Sequence, residues 1–562
     1  MGVWKRRRMA EYSGDPDPVS ASPEASSAIY PSRAAADEAE DARRRRRRSI
    51  RCAPRHARGI GGRSPLDHMP DEIDQLLALF HEKRSAWAEG VKERFGLALK
   101  ARYPLGRWGA EDGKVRPIQL RVNGNLEPTN APYAGVIGPD QDTSGGYGGM
   151  SFVVFPADVE GEGGLFGLVV GTNGLAPDEQ ILGRPGHARR LRAICRWLND
   201  RADRPSDSWA WAKQDPIRVD QRLPREVAER LRPWANAVKK YGSVCYCLVQ
   251  AAPKTENPGW TRDAFLALLD LAMEERELTP RSSAEAEAAR LRGDWRSALM
   301  PDCSEGDVAQ LLASRRYAIV EGPPGTGKTR LARRVLTERY GGNGRLVQFH
   351  PAVTYERFVG GLAPRTTGSG VTFEPKRGIL LDAILAARDG RPYLLVVDEI
   401  NRADLAKVLG EAIYLLEPGE ERRQLDLGWD YPEVGSQIEM PPNLHILGTM
   451  NSADRSIALL DVAIRRRFAY RKLWPQRAVV QSLGGARALA AFDRLVGVFV
   501  EYATDDGLGL VPGHSYFLSD DAQLPTRFHT ELRPLLDEYL SQGHVAGFAD
   551  EVRAFLDTVV AG

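Results

Sequence analysis

The stretch Val320-Glu321-Gly322-Pro323-Pro324-Gly325-Thr326-Gly327-Lys328-Thr329 decides how the chain is read. It fits the pattern G-x-x-x-x-G-K-[ST], a loop that cradles phosphates. Tyr317–Val320 before it is a β-branched and aromatic run that predicts a strand. Thr329–Tyr340 after it predicts a helix. Glycines let such a loop close around an anion because they lack a Cβ and tolerate left-handed backbone. The helix start adds free N–H groups and the positive end of the dipole. Gly322 through Thr329 are therefore the candidate nucleotide-binding residues. Lys328 is placed to reach the β- and γ-phosphates, and the Thr329 hydroxyl to ligate Mg²⁺.

Working outward, Tyr393–Val397 is a continuous apolar run that ends in Asp398 and Glu399. A strand buried on both faces has this composition, and open α/β sheets bind ligands beyond the C-terminal ends of their strands. Asp398 is the candidate Mg²⁺ carboxylate, directly or through water. Glu399 is the candidate general base that polarises the attacking water. A further strand, Leu444–Leu447, runs into Gly448-Thr449-Met450-Asn451, where Asn451 can sense the γ-phosphate and align water. Asp454, Arg455 and the triplet Arg465-Arg466-Arg467 follow. A run of arginines is commonly a solvated helix end; here it can also supply an arginine finger to a neighbouring subunit.

These residues resemble the AAA+ NTPases of the McrB type, in the dynein-related and MoxR-like branch. The resemblance rests on GPPGTGKT (322–329), VQFHPAVTYERFVGGL (347–362), FEPKRGIL (373–380), VVDEINRADLAKVLGEAIYLLE (396–417), GTMNSADRSIALLDVAIRRRF (448–468), GHSYFL (513–518) and LRPLLDEYL (532–540). The family's usual Asn-Thr-Ala-Asp stands here as Asn451-Ser452-Ala453-Asp454, which keeps the Asn and the Asp. The resemblance implies an α/β fold. It comprises a P-loop core with a parallel sheet over 301–474 and a helical lid over 475–562. It also implies a ring, expected as a hexamer, with ATP or GTP and Mg²⁺ between subunits. Asn451, Glu399, Arg466 and Arg467 become the expected catalytic residues, Thr329 and Asp398 the metal residues, and Arg402 a further neighbour of the site. The phosphate loop reads phosphates and not the base, so ATP and GTP both stay open. His514 and Tyr516 are read as packing or interface residues.

The first half of the chain is organised differently. Residues 1–68 are rich in Ala, Ser, Pro and Arg without a hydrophobic period, and predict a disordered tail. It contains six consecutive arginines, Arg43–Arg48, which read as a nucleic-acid-binding arm or as a segment that is not translated, with Met69 as the start. The whole chain carries +2, but this tail alone carries +6 and leaves the rest at −4. A nucleic-acid surface on the body must therefore be a local patch.

Residues 69–280 predict an α+β recognition domain. An amphipathic helix through about Lys100 (Ile73, Leu76, Leu77, Phe80, Trp87, Val91, Phe95) precedes strands at Ile118–Val122, Tyr133–Ile137, Ser151–Phe155, Leu165–Val170 and Val244–Gln250. A Gly-rich turn, Ser144–Gly149, separates two of them. Helices are expected at His187–Leu198 and Thr261–Glu275, and a linking helix in 281–300. Trp197, Trp209, Trp211 and Trp234 are read as packing rather than base stacking. This region resembles the MrcB-like N-terminal domain fused to such motors in bacterial genomes, where it carries target recognition.

Five cysteines occur without a C-x-x-C pair, and Cys245 and Cys247 alternate as if on one face of a strand. Zinc and a disulfide framework are not expected, and a reducing cytoplasm is. No stretch reaches the roughly 18–20 apolar residues of a membrane span.

The function expected is an NTP-hydrolysing motor of a McrBC-like DNA restriction complex. A separate McrC-like nuclease would cut, since no P-D…(D/E)-x-K arrangement is found. The alternatives are a MoxR-like chaperone acting on a protein partner and a nucleotide-gated scaffold.

Overall fold

The computed structural model describes residues 71–560 except 105–117, 128–129, 139–147, 160–161, 172, 174–178, 215–221, 252–256, 368–369, 418–422 and 454–461. The arginine-rich tail, most of the turn 144–149, Asp454 and Arg455 lie outside the described residues.

The N-terminal half holds one antiparallel sheet. Its strands are β1 (Gln119–Asn123), β2 (Tyr133–Ile137), β3 (Met150–Phe155), β4 (Leu165–Val170), β5 (Trp209–Ala212) and β6 (Cys245–Gln250), in the order β1-β2-β3-β4-β6-β5. Strands β2, β3, β4 and β6 are buried on both faces. Side chains alternate across a strand, and this parity splits the sheet between two cores. Ala134, Val136, Phe152, Val154, Phe166 and Leu168 join a cluster with helices Arg84–Arg102 and Pro258–Glu274. Tyr133, Val153, Phe155, Leu165 and Val169 join another with Trp209, Trp234 and Tyr241.

The alternation expected for Cys245 and Cys247 fails. Leu168 pairs with Cys247 and Val169 with Cys245, so Tyr246 is an extra residue in the ladder. Such a bulge turns the strand locally, and the two thiols fall into different cores. The first predicted helix is also interrupted, at Glu82 and Lys83, between a 3₁₀ turn and the helix Arg84–Arg102.

The second half holds a five-stranded parallel sheet in the order β15-β7-β14-β11-β8, with β7 (Tyr317–Gly322), β8 (Gly344–Gln348), β11 (Tyr393–Asp398), β14 (Leu444–Asn451) and β15 (Ala469–Lys472). Two antiparallel hairpins not anticipated from the sequence leave this layer: β9 (Gly360–Thr367) with β10 (Gly370–Arg377), and β12 (Gln424–Tyr431) with β13 (Gly435–Glu439). They expose Val371, Phe373 and Trp429.

The C-terminal helices, with Ala486–Tyr502 the longest, share one apolar cluster with the N-terminal helices. Helix Pro185–Asp200 lies against Ala486–Tyr502 so closely that a Cβ on Gly186 would stand 2.1 Å from the Glu501 carbonyl oxygen. The buried Arg189 guanidinium donates to the carbonyls of Phe499, Val500 and Ala503 at 3.4, 3.1 and 2.7 Å, and to Asp505 at 2.8 Å. It thereby satisfies carbonyls that the helix end leaves open. Among the described residues no helix is long and apolar enough to cross a membrane.

Candidate nucleotide site

Strand parity builds the site. In β11, Leu395 and Val397 enter one core while Leu394 and Val396 enter the other, together with Leu331, Ala332 and Val335 of the segment that follows the phosphate loop. In β14, Leu444, Ile446 and Met450 enter the first core and Leu447 the second. By the period of two, Asp398, Thr449 and Asn451 fall on the same side of the sheet as the phosphate-loop helix. The register brings the strand ends level, with Asn451 opposite Gly322 and Gly448 opposite Val397.

The phosphate loop leaves β7 at Gly322 and enters the helix Lys328–Arg334, which continues into a π-helical turn, Val335–Arg339. Gly325 and Gly327 both have φ +79°, the left-handed region that glycine tolerates. Lys328 is buried, and its Nζ donates to the carbonyls of Gly322 at 3.0 Å and Pro323 at 2.9 Å. The Thr326 hydroxyl also donates to Pro323, at 2.8 Å.

At the strand ends, the Thr329 hydroxyl stands 2.9 and 3.1 Å from the two Asp398 oxygens. Because it donates its proton there, its lone pairs stay open for a cation. One carboxylate and one hydroxyl suit Mg²⁺, which keeps water and phosphate oxygens as its other ligands. Glu399 has a left-handed backbone at φ 53°. Its Oε1 accepts from Asn451 Nδ2 at 2.9 Å, and its Oε2 faces Arg402 Nε at 3.4 Å. Gly322–Thr329, Asp398, Glu399 and Asn451 are thus brought together. So is Arg402.

Arg466 and Arg467 stand elsewhere, on Glu417. Arg466 has a 61% exposed side chain and meets Glu417 at 3.2 Å. Arg467 is 8% exposed and is held by Glu417 at 2.5 Å, the Ile413 carbonyl at 3.0 Å and the Ala463 carbonyl at 2.5 Å.

Two contributions escaped the sequence reading. Thr449 bonds both acids; its parity with Asn451 on one strand was the available signal. The segment Gly513–Tyr516 lies on the phosphate loop: Gly513 N–H donates to Pro324 O at 2.9 Å and Ser515 N–H to Gly325 O at 3.0 Å. The signal was Gly513 within the GHSYFL stretch, since a Cβ there would stand 2.0 Å from the Gly325 carbonyl carbon, but the sequence does not say which segment it meets. His514 Nδ1 accepts the Gln476 N–H at 3.2 Å. Burial, with Arg330 nearby, pushes its pKa down to about 4.

Residues 318–468 match the AAA domain family, dynein-related subfamily. The chain is 30% identical over 351 residues to the type IV methyl-directed restriction enzyme EcoKMcrB subunit of Escherichia coli K12, across 56% of this chain and 75% of that protein. It is 30% identical over 206 residues to the type II restriction enzyme BsuMI component YdiS of Bacillus subtilis 168, across 30% of this chain and 60% of that one. Among solved structures, NtrX from Brucella abortus aligns at 14% identity over 43% of this chain and 60% of that one, with a TM-score of 0.23.

Proposed function

This chain belongs to the McrB family of AAA+ nucleotide hydrolases, and from that premise we propose that it is the motor of a DNA restriction complex. In this reading a separate McrC-like chain cuts the DNA, and residues 69–280 select it. The observation that carries the reading is the convergence of Asp398, Thr329, Glu399 and Asn451 beyond β7, β11 and β14.

The residues take these roles. The loop Gly322–Thr329 wraps the phosphates of ATP or GTP, and Lys328 turns from its loop carbonyls to the β- and γ-phosphates. Thr329 and Asp398 hold Mg²⁺, which supplies positive charge to the phosphate oxygens. Glu399 takes a proton from the water that attacks the γ-phosphorus, the bond from that phosphorus to the β–γ bridging oxygen breaks, and the nucleoside diphosphate leaves with that oxygen; Asn451 orients Glu399 for the step. Arg466, exposed beside Glu417, reaches the site of the next subunit in a hexameric ring. Arg467 supports it from within. The C-terminal helices form the lid, and its segment Gly513–Tyr516 is seated on Pro324 and Gly325.

A second reading, a remodeller of a protein partner, is favoured by the exposed Val371, Phe373 and Trp429 on the two hairpins, since apolar surface of this kind suits protein more than DNA. Steady-state hydrolysis of ATP and of GTP, with and without DNA at low salt, tests the choice. Hydrolysis together with nucleotide-dependent DNA binding supports the restriction motor. Hydrolysis with no DNA binding, under conditions where phosphate contacts are strongest, moves the assignment to the protein remodeller.

A further inference from the structure

Asp398 and Glu399 are adjacent in sequence, so a regular strand would send their carboxylates to opposite faces, yet both meet partners on the phosphate-loop side of the sheet. Asp398 faces Thr329, and Glu399 faces Asn451. The peptide between them has to hold an unusual shape to allow this, and Glu399 adopts φ 53° and ψ 47°. L-residues avoid this conformation because the Cβ approaches the following carbonyl oxygen. A non-glycine residue stays there when its surroundings over-determine it.

One side chain holds that peptide. The Thr449 hydroxyl donates to Asp398 Oδ1 at 2.5 Å and accepts the Glu399 N–H at 3.2 Å. A hydroxyl has one proton and two lone pairs, so both bonds form at once. Thr449 is 1% exposed, so water does not compete for either partner. Its strand neighbour on the same face, Asn451, holds the Glu399 carboxylate. The two residues of β14 therefore grip Glu399 at both ends, main chain and side chain.

We propose that Thr449 is the positioning residue of the hydrolytic site, a single hydroxyl that orients the Asp398 carboxylate and fixes the main chain of Glu399. This rests on the reading of Asp398 and Glu399 as the metal-holding and water-activating acids. Thr449 touches neither nucleotide nor water in this scheme. Without its hydroxyl, the Glu399 N–H has no partner and the Asp398–Glu399 peptide relaxes toward the right-handed region. Both carboxylates then swing from their targets.

The experiment uses the full chain as wild type, Thr449→Val and Thr449→Ser. Equilibrium binding of a fluorescent ATP or GTP analogue is measured against Mg²⁺ concentration, beside kcat and KM for whichever nucleotide the wild type turns over. Valine keeps the shape and removes the hydroxyl. It is expected to raise the Mg²⁺ requirement and to lower kcat, each by roughly 10–100-fold, the usual cost of losing an outer-shell partner. KM at saturating Mg²⁺ and Mg²⁺-free nucleotide affinity stay at wild-type values, because the phosphate loop is untouched. Serine restores both quantities. Wild-type Mg²⁺ dependence and kcat in Thr449→Val overturn the inference. So does a Thr449→Ser as impaired as Thr449→Val, which would assign the effect to packing of the methyl. If the wild type shows no Mg²⁺-dependent binding or turnover, the site reading itself fails and this inference falls with it.

Discussion

The side-chain amide of Asn451 donates to Glu399 Oε1 at 2.9 Å, from a strand end that lies in register with the first glycine of the phosphate loop. Two residues separated by 52 positions are thus locked together beside the glycine-rich loop Gly322–Thr329. Glu399→Gln keeps the shape and removes the proposed base, so nucleotide binding is expected to persist while kcat falls by about 10²–10⁴-fold. Asn451→Ala leaves the base but frees it to turn, and is expected to lower kcat by about 10²-fold with little change in nucleotide affinity. Binding isotherms beside steady-state rates check both.

Lys328 is buried against the carbonyls of Gly322 and Pro323. Its ammonium is the cation of the loop itself, and Lys328→Ala is expected to abolish nucleotide binding rather than slow the chemistry. Equilibrium dialysis with labelled nucleotide separates these outcomes. Wild-type affinity in the variant would remove Lys328 from the phosphate site.

The two candidate finger arginines differ in their surroundings, and so should their variants. Arg466 is exposed and its replacement costs no buried contact, so Arg466→Ala should leave thermal stability unchanged. In assembled rings it should lower turnover by about 10³-fold or more, on the scale of other arginine fingers. Arg467 holds two carbonyls and Glu417 inside the fold. Arg467→Ala is expected to destabilise the chain by about 3 kcal/mol, read by denaturant unfolding. A double variant that hydrolyses normally would exclude Arg466 and Arg467 as fingers.

Arg189 closes the end of helix Ala486–Tyr502 from the neighbouring helix Pro185–Asp200. Arg189→Ala leaves those carbonyls facing a void, at a cost of about 2–3 kcal/mol. Because the contact joins the N-terminal helices to the C-terminal ones, limited proteolysis is expected to cut between the two groups faster than in the wild type.

His514 and His445 are held near pKa 4, mainly by burial, with Arg330 and Arg316 respectively adding to it. An unfolded histidine titrates near 6.5. Between these values the unfolded chain binds protons that the folded chain refuses, so the stability contributed is present above about pH 6.5 and lost as pH falls toward about 4. Urea midpoints are expected to drop from pH 7 to pH 5. The double variant His514→Gln with His445→Gln should show a shallower drop.

The sequence by itself determined the chemistry. The glycine spacing, the lysine and threonine, and the apolar strand ending in Asp398 and Glu399 are local patterns, each legible because the loop and strand that need them are contiguous in the chain. Most N-terminal strands were legible for the same reason, through short continuous apolar runs that suit strands buried on both faces. The tertiary structure decided what depends on parity and register across distant strands. It placed Thr449 on both acids, because β14 lies between β7 and β11 and its odd-numbered residues face the phosphate loop. It divided the arginine pair by burial against Glu417. It opened the thiol pair with a single extra residue in β6, which pairing with β4 dictates and composition does not record. It seated Gly513–Tyr516 on Pro324 and Gly325 through main-chain hydrogen bonds, an approach that Gly513 permits because a Cβ there would stand 2.0 Å from the Gly325 carbonyl carbon.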